Sequence, residues 1–137
     1  MTGVLVDSNV ILDVYTDDAV WAEWSESVLN RYRINYPLYI NPIIYAEISI
    51  GFDRIEELES AIVLSGFKFL PIPKEALFLA GKAFLQYRRR RGNKSSPLPD
   101  FFIAAHAAVA DLPLMTRDQT RMRTYFPTVQ LITPTSD

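Results

Sequence analysis

The stretch GVLVDSNVIL, residues 3–12, decides the architecture. Its short apolar run, Val4-Leu5-Val6, has the character of a strand buried on both faces, as strands in a parallel sheet are. The run ends abruptly at Asp7, and Ser8-Asn9 then leads into VILDVY, where the strand hands over to a helix. A carboxylate at such a junction has two readings. It can cap the helix, a task Ser8 and Asn9 could also perform. Alternatively, it can open into the crevice beyond the carboxyl ends of parallel strands, where ligands bind.

Similar strand-like runs recur at 37–40 (PLYI), 67–72 (FKFLPI), 112–116 (LPLMT) and 128–132 (TVQLI), with helical patterns between them. Residues 17–33 place Val20, Trp24, Val28 and Leu29 on one stripe. The segment 41–51, NPIIYAEISIG, opens with an Asn-Pro cap and first-turn pair and closes on Gly51. Further helical patterns cover 53–66 and run on from Lys74 and from Leu98. Short strands alternating with longer helices predict a three-layer α/β/α fold with a central parallel sheet of about five strands. Two successive helices between some strands make it helix-rich. No repeat or low-complexity linker divides the chain, so residues 1–137 are expected to form a single domain.

Composition narrows the chemistry. With 137 residues, 49% of them hydrophobic, the chain can bury a substantial core. No apolar run approaches the roughly 20 residues needed to cross a bilayer, and the N-terminus lacks a basic region and a secretory cleavage pattern. A soluble cytoplasmic protein is expected. The absence of cysteine removes disulfides and thiolate chemistry, and with His106 as the sole histidine an ordinary structural zinc site is excluded too. Any metal would be held by oxygen, which favours Mg²⁺ or Mn²⁺. The net charge of −2 hides an asymmetry: residues 1–60 carry eleven acids and three bases, residues 61–137 five acids and eleven bases. Lys82, Arg88 to Arg91 and Lys94 fall in an acid-free stretch between Glu75 and Asp100. Such a tract suits a polyanion or a solvated helix end equally well.

Four acids stand out. Asp118 repeats the arrangement of Asp7, following the strand-like LPLMT, with a helix cap as its structural alternative. If the first and fourth strands are neighbours, both carboxylates open into one crevice. Glu47 lies four residues after Ile43, three after Ile44 and three before Ile50, which puts it on an apolar helical stripe where an unpartnered glutamate is rare. Asp100 follows Pro99 in a first turn, where the helix dipole favours an acid. It also shares a helix face with Ile103, Ala104 and Ala107. Like charges about 4 Å apart repel by about 1 kcal/mol in water and about 4 kcal/mol at an effective dielectric of about 20. Convergence of all four would therefore call for protons or a divalent cation.

The segments VDSNVILD, YAEIS, PDFFIAAHA and LPLMTRD, in that order, resemble the successive motifs of PIN-domain ribonucleases, and the whole chain is similar to the VapC toxins of toxin–antitoxin pairs. The resemblance implies an acidic pocket binding Mg²⁺ or Mn²⁺, with Asp7, Glu47, Asp100 and Asp118 as its catalytic and metal-holding acids. Asn9 and Thr116 match polar companions that orient ligands or waters. It further implies hydrolysis of RNA phosphodiesters to 5′-phosphate and 3′-hydroxyl ends, with Glu47 ligating the ion or positioning the attacking water, and a small antitoxin partner. Two features depart from the pattern. Met122 stands where an aromatic is common, with Tyr125 following later, and the RRRRGNKSSP tract is unusually basic. Arg88, Arg89, Arg90, Arg91 and Lys94 are candidate RNA contacts, with Arg117 and Arg121 weaker ones. His106 is on a different helix face from Asp100 and is expected to be structural, as is Asp13, expected to face solvent. Tyr15, Trp21 and Trp24 suit packing, a homodimer or an antitoxin groove. The alternative is a catalytically inactive PIN-like module binding RNA or protein. Receiver and haloacid-dehalogenase-type phosphotransfer domains fit poorly, because position 9 is Asn and no suitable Lys follows the last strand.

Overall fold

The computed structural model describes residues 1–91 and 98–134, apart from the side chains of residues 91, 121 and 125. Among them the chain order is β1 (Val4–Val6), α1 (Ser8–Tyr15), α2 (Ala22–Arg33), β2 (Leu38–Ile40), α3 (Pro42–Ser49), α4 (Ile55–Ser65) and β3 (Phe67–Phe69). Then come α5 (Lys74–Arg91), α6 (Leu98–Ala110), β4 (Leu114–Met115), α7 (Thr120–Tyr125) and β5 (Leu131–Ile132). The five strands form one sheet, ordered β3-β2-β1-β4-β5, and every neighbouring pair is parallel. Successive strand side chains point to opposite faces. Val4, Leu5 and Val6 are all fully buried, so both faces of the sheet's centre are covered and the fold is three-layered α/β/α.

Paired helices fill the first three crossovers, as the alternation of patterns predicted. Asn41 caps α3, its Oδ1 accepting from the Ile44 N–H at 2.9 Å with Pro42 opening the helix. Gly66 ends α4 at φ +78, in the left-handed region that side chains resist. Strand ends are shorter than expected. The run at 67–72 pairs only to Phe69, and that at 112–116 pairs only at Leu114–Met115, because the Leu112 N–H is taken by the Ala107 carbonyl at the exit of α6.

Two stripes need correction. Val20 is not on the α2 face with Val28 and Leu29. It precedes the helix and is 75% exposed, in a turn where Asp18 Oδ2 accepts from the N–H groups of Val20 and Trp21. On α3 the buried residues are Ile44 and Ile48, whereas Ile50 lies just past the helix and is exposed. Glu47 is therefore at the edge of the apolar stripe, half-buried, rather than within it.

The sheet order sets the position of the site. From β1 the chain moves outward to β2 and β3 on one side, then returns to β4 and β5 on the other. The order reverses between β1 and β4, and the crevice beyond the carboxyl ends of those two strands is the switch point of the sheet.

Candidate active site

Asp7 and Thr116 follow β1 and β4, which flank that switch point. The β1–β4 register pairs Val6 with Met115, and the Asp7 N–H donates to the Met115 carbonyl at 2.8 Å. The next residue on each strand is thus brought face to face. Thr116 Oγ1 donates to Asp7 Oδ2 at 2.7 Å, and both residues are buried. Asn9, on the first turn of α1, reaches the same pair: its Nδ2 lies 3.3 Å from Asp7 Oδ2 and 3.4 Å from Thr116 Oγ1. Asp7 also accepts from the Ser8 N–H through Oδ1 at 2.7 Å and is the N-cap of α1. The carboxylate that caps α1 thus also stands at the carboxyl end of β1, beside the switch point.

The other acids meet Asp7 from different elements. Glu47, on α3, is joined to it through Ser8, whose hydroxyl donates to Glu47 Oε1 at 2.7 Å and lies 3.4 Å from Asp7 Oδ1. Asp100, in the first turn of α6, and Glu47 both act on Asp7 electrostatically. Burial raises the Asp7 carboxyl most, the Thr116 hydrogen bond lowers it, and the negative charges of Asp100 and Glu47 raise it again. The outcome is a pKa of about 7, against 3.8 for an ordinary aspartate. Asp118, half-buried on the loop after β4, is tied in through its backbone, the N–H donating to Thr116 Oγ1 at 3.0 Å. Asp118 directly precedes Gln119, which stands at the N-cap position of α7.

The four acids are thus brought to one end of the sheet, but not as a closed cage. Among the described residues no three acidic or imidazole side chains gather closely enough to hold a cation by themselves. Mg²⁺ commonly keeps several waters and is bound through one or two carboxylates together with substrate phosphates. A buried, hydrogen-bonded Asp7 whose charge is opposed by Asp100 and Glu47 fits an open site of that kind, and all-oxygen donors suit Mg²⁺ or Mn²⁺.

Asp13 overturns an expectation. It does not face solvent: it is 3% exposed, accepts from Ser25 Oγ at 2.8 Å and forms a two-point ion pair with Arg117. Asp13 lies four residues after Asn9 and so shares its helix face, but its partners Ser25 and Arg117 come from other elements. Ser8, by sequence only a possible cap, is the bridge between Asp7 and Glu47. The Arg117 guanidinium, a candidate RNA contact, is engaged by Asp13 and lies over the Trp21 ring at 5.0 Å. Trp21 in turn meets Trp24 edge-on, and Tyr15 Oη packs to Ser65 and the Ala61 carbonyl.

His106 is buried, with Nδ1 3.1 Å from Asn41 Nδ2 and its pKa lowered by burial. Because Asn41 Nδ2 can only donate, His106 Nδ1 accepts and the neutral ring is the form that fits. Arg88, Arg89 and Arg90 are exposed on the last turns of α5, Arg88 lying over the Phe84 ring. Lys94 and the side chains of Arg91, Arg121 and Tyr125 lie outside the described residues. Met122, at the aromatic's place, is buried in the core.

No curated protein matches the sequence. Among solved structures, the chain is similar to VapBC2 from Rickettsia felis bound to a promoter DNA fragment, with 18% identity, TM-score 0.70, and 95% of this chain and 97% of that chain covered. It is also similar to FitAcB from Neisseria gonorrhoeae, with 23% identity, TM-score 0.69, and 93% and 95% covered. A third is VapC20 from Mycobacterium tuberculosis, a sarcin-ricin loop cleaving toxin, with 10% identity, TM-score 0.60, and 93% and 99% covered. At these identities the likeness is one of fold. The sequence itself matches the family model of the PIN domain over residues 4–126, from β1 through α7, and the chain belongs to the PIN-domain family.

Proposed function

We propose that the protein is a metal-dependent endoribonuclease of the VapC kind, the toxin of a toxin–antitoxin pair. The observation that carries this reading is Asp7: a buried acid at the sheet's switch point, opposed by Asp100 and Glu47, inside a PIN domain. A buried carboxylate crowded by other acids is costly to ionise, and a divalent cation relieves that cost.

In this reading Asp7 and Asp100 hold Mg²⁺ or Mn²⁺, with Asp118 contributing directly or through water. Such an ion, when bound, supplies charge neutralisation at a phosphodiester and acidifies water. Glu47 ligates the ion or orients the attacking water, its carboxylate steadied by the Ser8 hydroxyl. Thr116 and Asn9 fix the rotamer of Asp7 by donating to Oδ2, as groups behind a metal ligand do. The products would carry 5′-phosphate and 3′-hydroxyl ends. Arg88 to Arg91 and Lys94 supply contacts to the RNA backbone. A homodimer, a small antitoxin covering the pocket and a cytoplasmic location complete the proposal. Among the described residues no helix is long and apolar enough to cross a membrane.

Incubating pure protein with RNA and Mn²⁺, Mg²⁺ or EDTA tests this, beside Asp7→Asn and Asp100→Asn. Cleavage by wild type with metal, lost with EDTA and reduced about 10²-fold or more in both variants, is expected. Equal cleavage by all three proteins would mean contamination and end the nuclease reading. The open, uncaged arrangement of the acids favours a second reading, a PIN-like module that binds RNA or protein without cutting it. RNA binding by wild type with no metal-dependent cleavage would select that one.

A further inference from the structure

Arg117 sits between two residues of the acidic site, Thr116 and Asp118, yet its side chain turns away from them toward α1. Its Nε donates to Asp13 Oδ2 at 2.8 Å and its Nη2 to Asp13 Oδ1 at 2.9 Å. This forked contact matches a guanidinium to a carboxylate and is beyond the reach of a lysine ammonium. Ser25 Oγ holds the same carboxylate from α2, and the Trp21 ring lies against the guanidinium. Asp13 is buried to 3% exposure, so these partners stand in place of water around its carboxylate.

The backbone of the same loop is bound to α1 as well. The Arg117 N–H donates to Asn9 Oδ1 at 3.3 Å, and the Asp118 N–H donates to Thr116 Oγ1, which itself donates to Asp7. Residues 116 to 118 are therefore fastened to Asp7, Asn9 and Asp13, the cap and one face of a single helix.

We propose that Arg117 is a positioning residue: its forked pair with Asp13 clamps the loop between β4 and α7 onto α1, holding Thr116 against Asp7 and fixing where Asp118 stands. The catalytic consequence rests on the nuclease reading above, whereas the clamp itself rests on the hydrogen bonds. A guanidinium committed in this way is not a phosphate contact. Its replacement should therefore disturb the reacting groups rather than RNA affinity.

Two variants test the clamp. Arg117→Lys keeps the charge and loses the fork. The double variant Asp13→Asn with Arg117→Gln replaces the ion pair by two amides and leaves no buried charge unpaired, so it serves if removal of one partner alone prevents folding. In each, hydrogen exchange at the Arg117 and Asp118 amides is compared with that at Leu114 and Thr116, whose N–H groups bond to Gln130 and Ile132 in the sheet. Mn²⁺ binding is measured by calorimetry with the metal alone, and kcat and KM for RNA cleavage are measured separately.

The clamp predicts that protection at 117 and 118 falls about tenfold or more while the sheet amides are unchanged. It also predicts that Mn²⁺ affinity and kcat each fall about 10- to 100-fold with KM nearly constant. Unchanged protection and Mn²⁺ affinity in both folded variants would overturn the clamp. So would a raised KM at constant kcat, which would make Arg117 an RNA contact. If wild type neither binds Mn²⁺ nor cleaves RNA, the nuclease reading fails, while a loss of protection in the variants still supports the clamp.

Discussion

Asp7 combines two demands that usually fall on different residues. As an N-cap it satisfies an orphan N–H of α1, and as the buried acid of the switch point it accumulates negative potential from Asp100 and Glu47. With its pKa raised from 3.8 to about 7, Asp7 is protonated in the folded chain over a window in which the unfolded chain has lost the proton. The folded state then binds more protons, so stability present at pH 4 is lost as pH rises toward 7, by about 4 kcal/mol at most. His106 works in the opposite sense. Its lowered pKa means that stability is lost as pH falls below 6.5, where the unfolded imidazole takes up a proton. Asp7→Asn isolates the first effect. In urea denaturation without metal, the variant should be more stable than wild type at pH 8 and lose that advantage by pH 4. A constant difference across the range would remove the buried-acid account. Added Mn²⁺ should stabilise wild type at pH 8 and leave Asp7→Asn little changed, through ligand binding to the folded state alone.

At the scale of elements, the helices α3 and α6 carry Glu47 and Asp100, and one buried polar contact joins them. Asn41 caps α3 through its Oδ1 and donates from Nδ2 to His106 on α6. Both residues are buried, so neither hydrogen bond has water to replace it. Asn41→Ala removes a cap worth about 1 kcal/mol. It also strands the His106 Nδ1 acceptor, at about 1–3 kcal/mol. The expected loss is about 2–4 kcal/mol in chemical denaturation, with no change in slope. A loss below about 0.5 kcal/mol would mean that the junction is not holding the helices. The strands were legible in the sequence as apolar runs but too long at their ends, since Leu112 satisfies its N–H on α6 and not on a neighbouring strand.

Across the whole molecule, the acids of the first half and the bases of the second half have different destinations. The acids of the site come from both halves, because strand order β3-β2-β1-β4-β5 sets the ends of β1 and β4 side by side. The bases at Arg88 to Arg90 remain exposed at the end of α5. If they carry the RNA backbone, Arg88→Gln with Arg89→Gln should weaken RNA binding at low salt. It should also flatten the dependence of log affinity on log salt by about 0.7 for each phosphate that is no longer neutralised. An unchanged slope would assign these arginines to the solvated helix end. The Asp7→Asn variant should leave that slope as in wild type, since its effect is confined to the pocket.

The sequence by itself determined the fold class and the succession of strands and paired helices, because apolar periodicity is a local property, and the order of its short motifs singled out four acids as candidates. The resemblance to known PIN domains offered Asn9 as the companion of Asp7 and Thr116 as the hydroxyl residue before the last acid, and the fold joins both of them to Asp7. Only the tertiary structure decided which groups meet. A lone acid on a helix usually faces solvent, but Asp13 does not, and its partners Ser25 and Arg117 stand 12 and 104 residues away in the chain. Glu47 has the spacing of an apolar stripe that in fact ends at Ile48, and its hydrogen bond comes from Ser8, 39 residues earlier. A charge's environment is fixed by long-range packing, and that packing is what turns Asp7 from an ordinary helix cap into a carboxyl group titrating near neutrality.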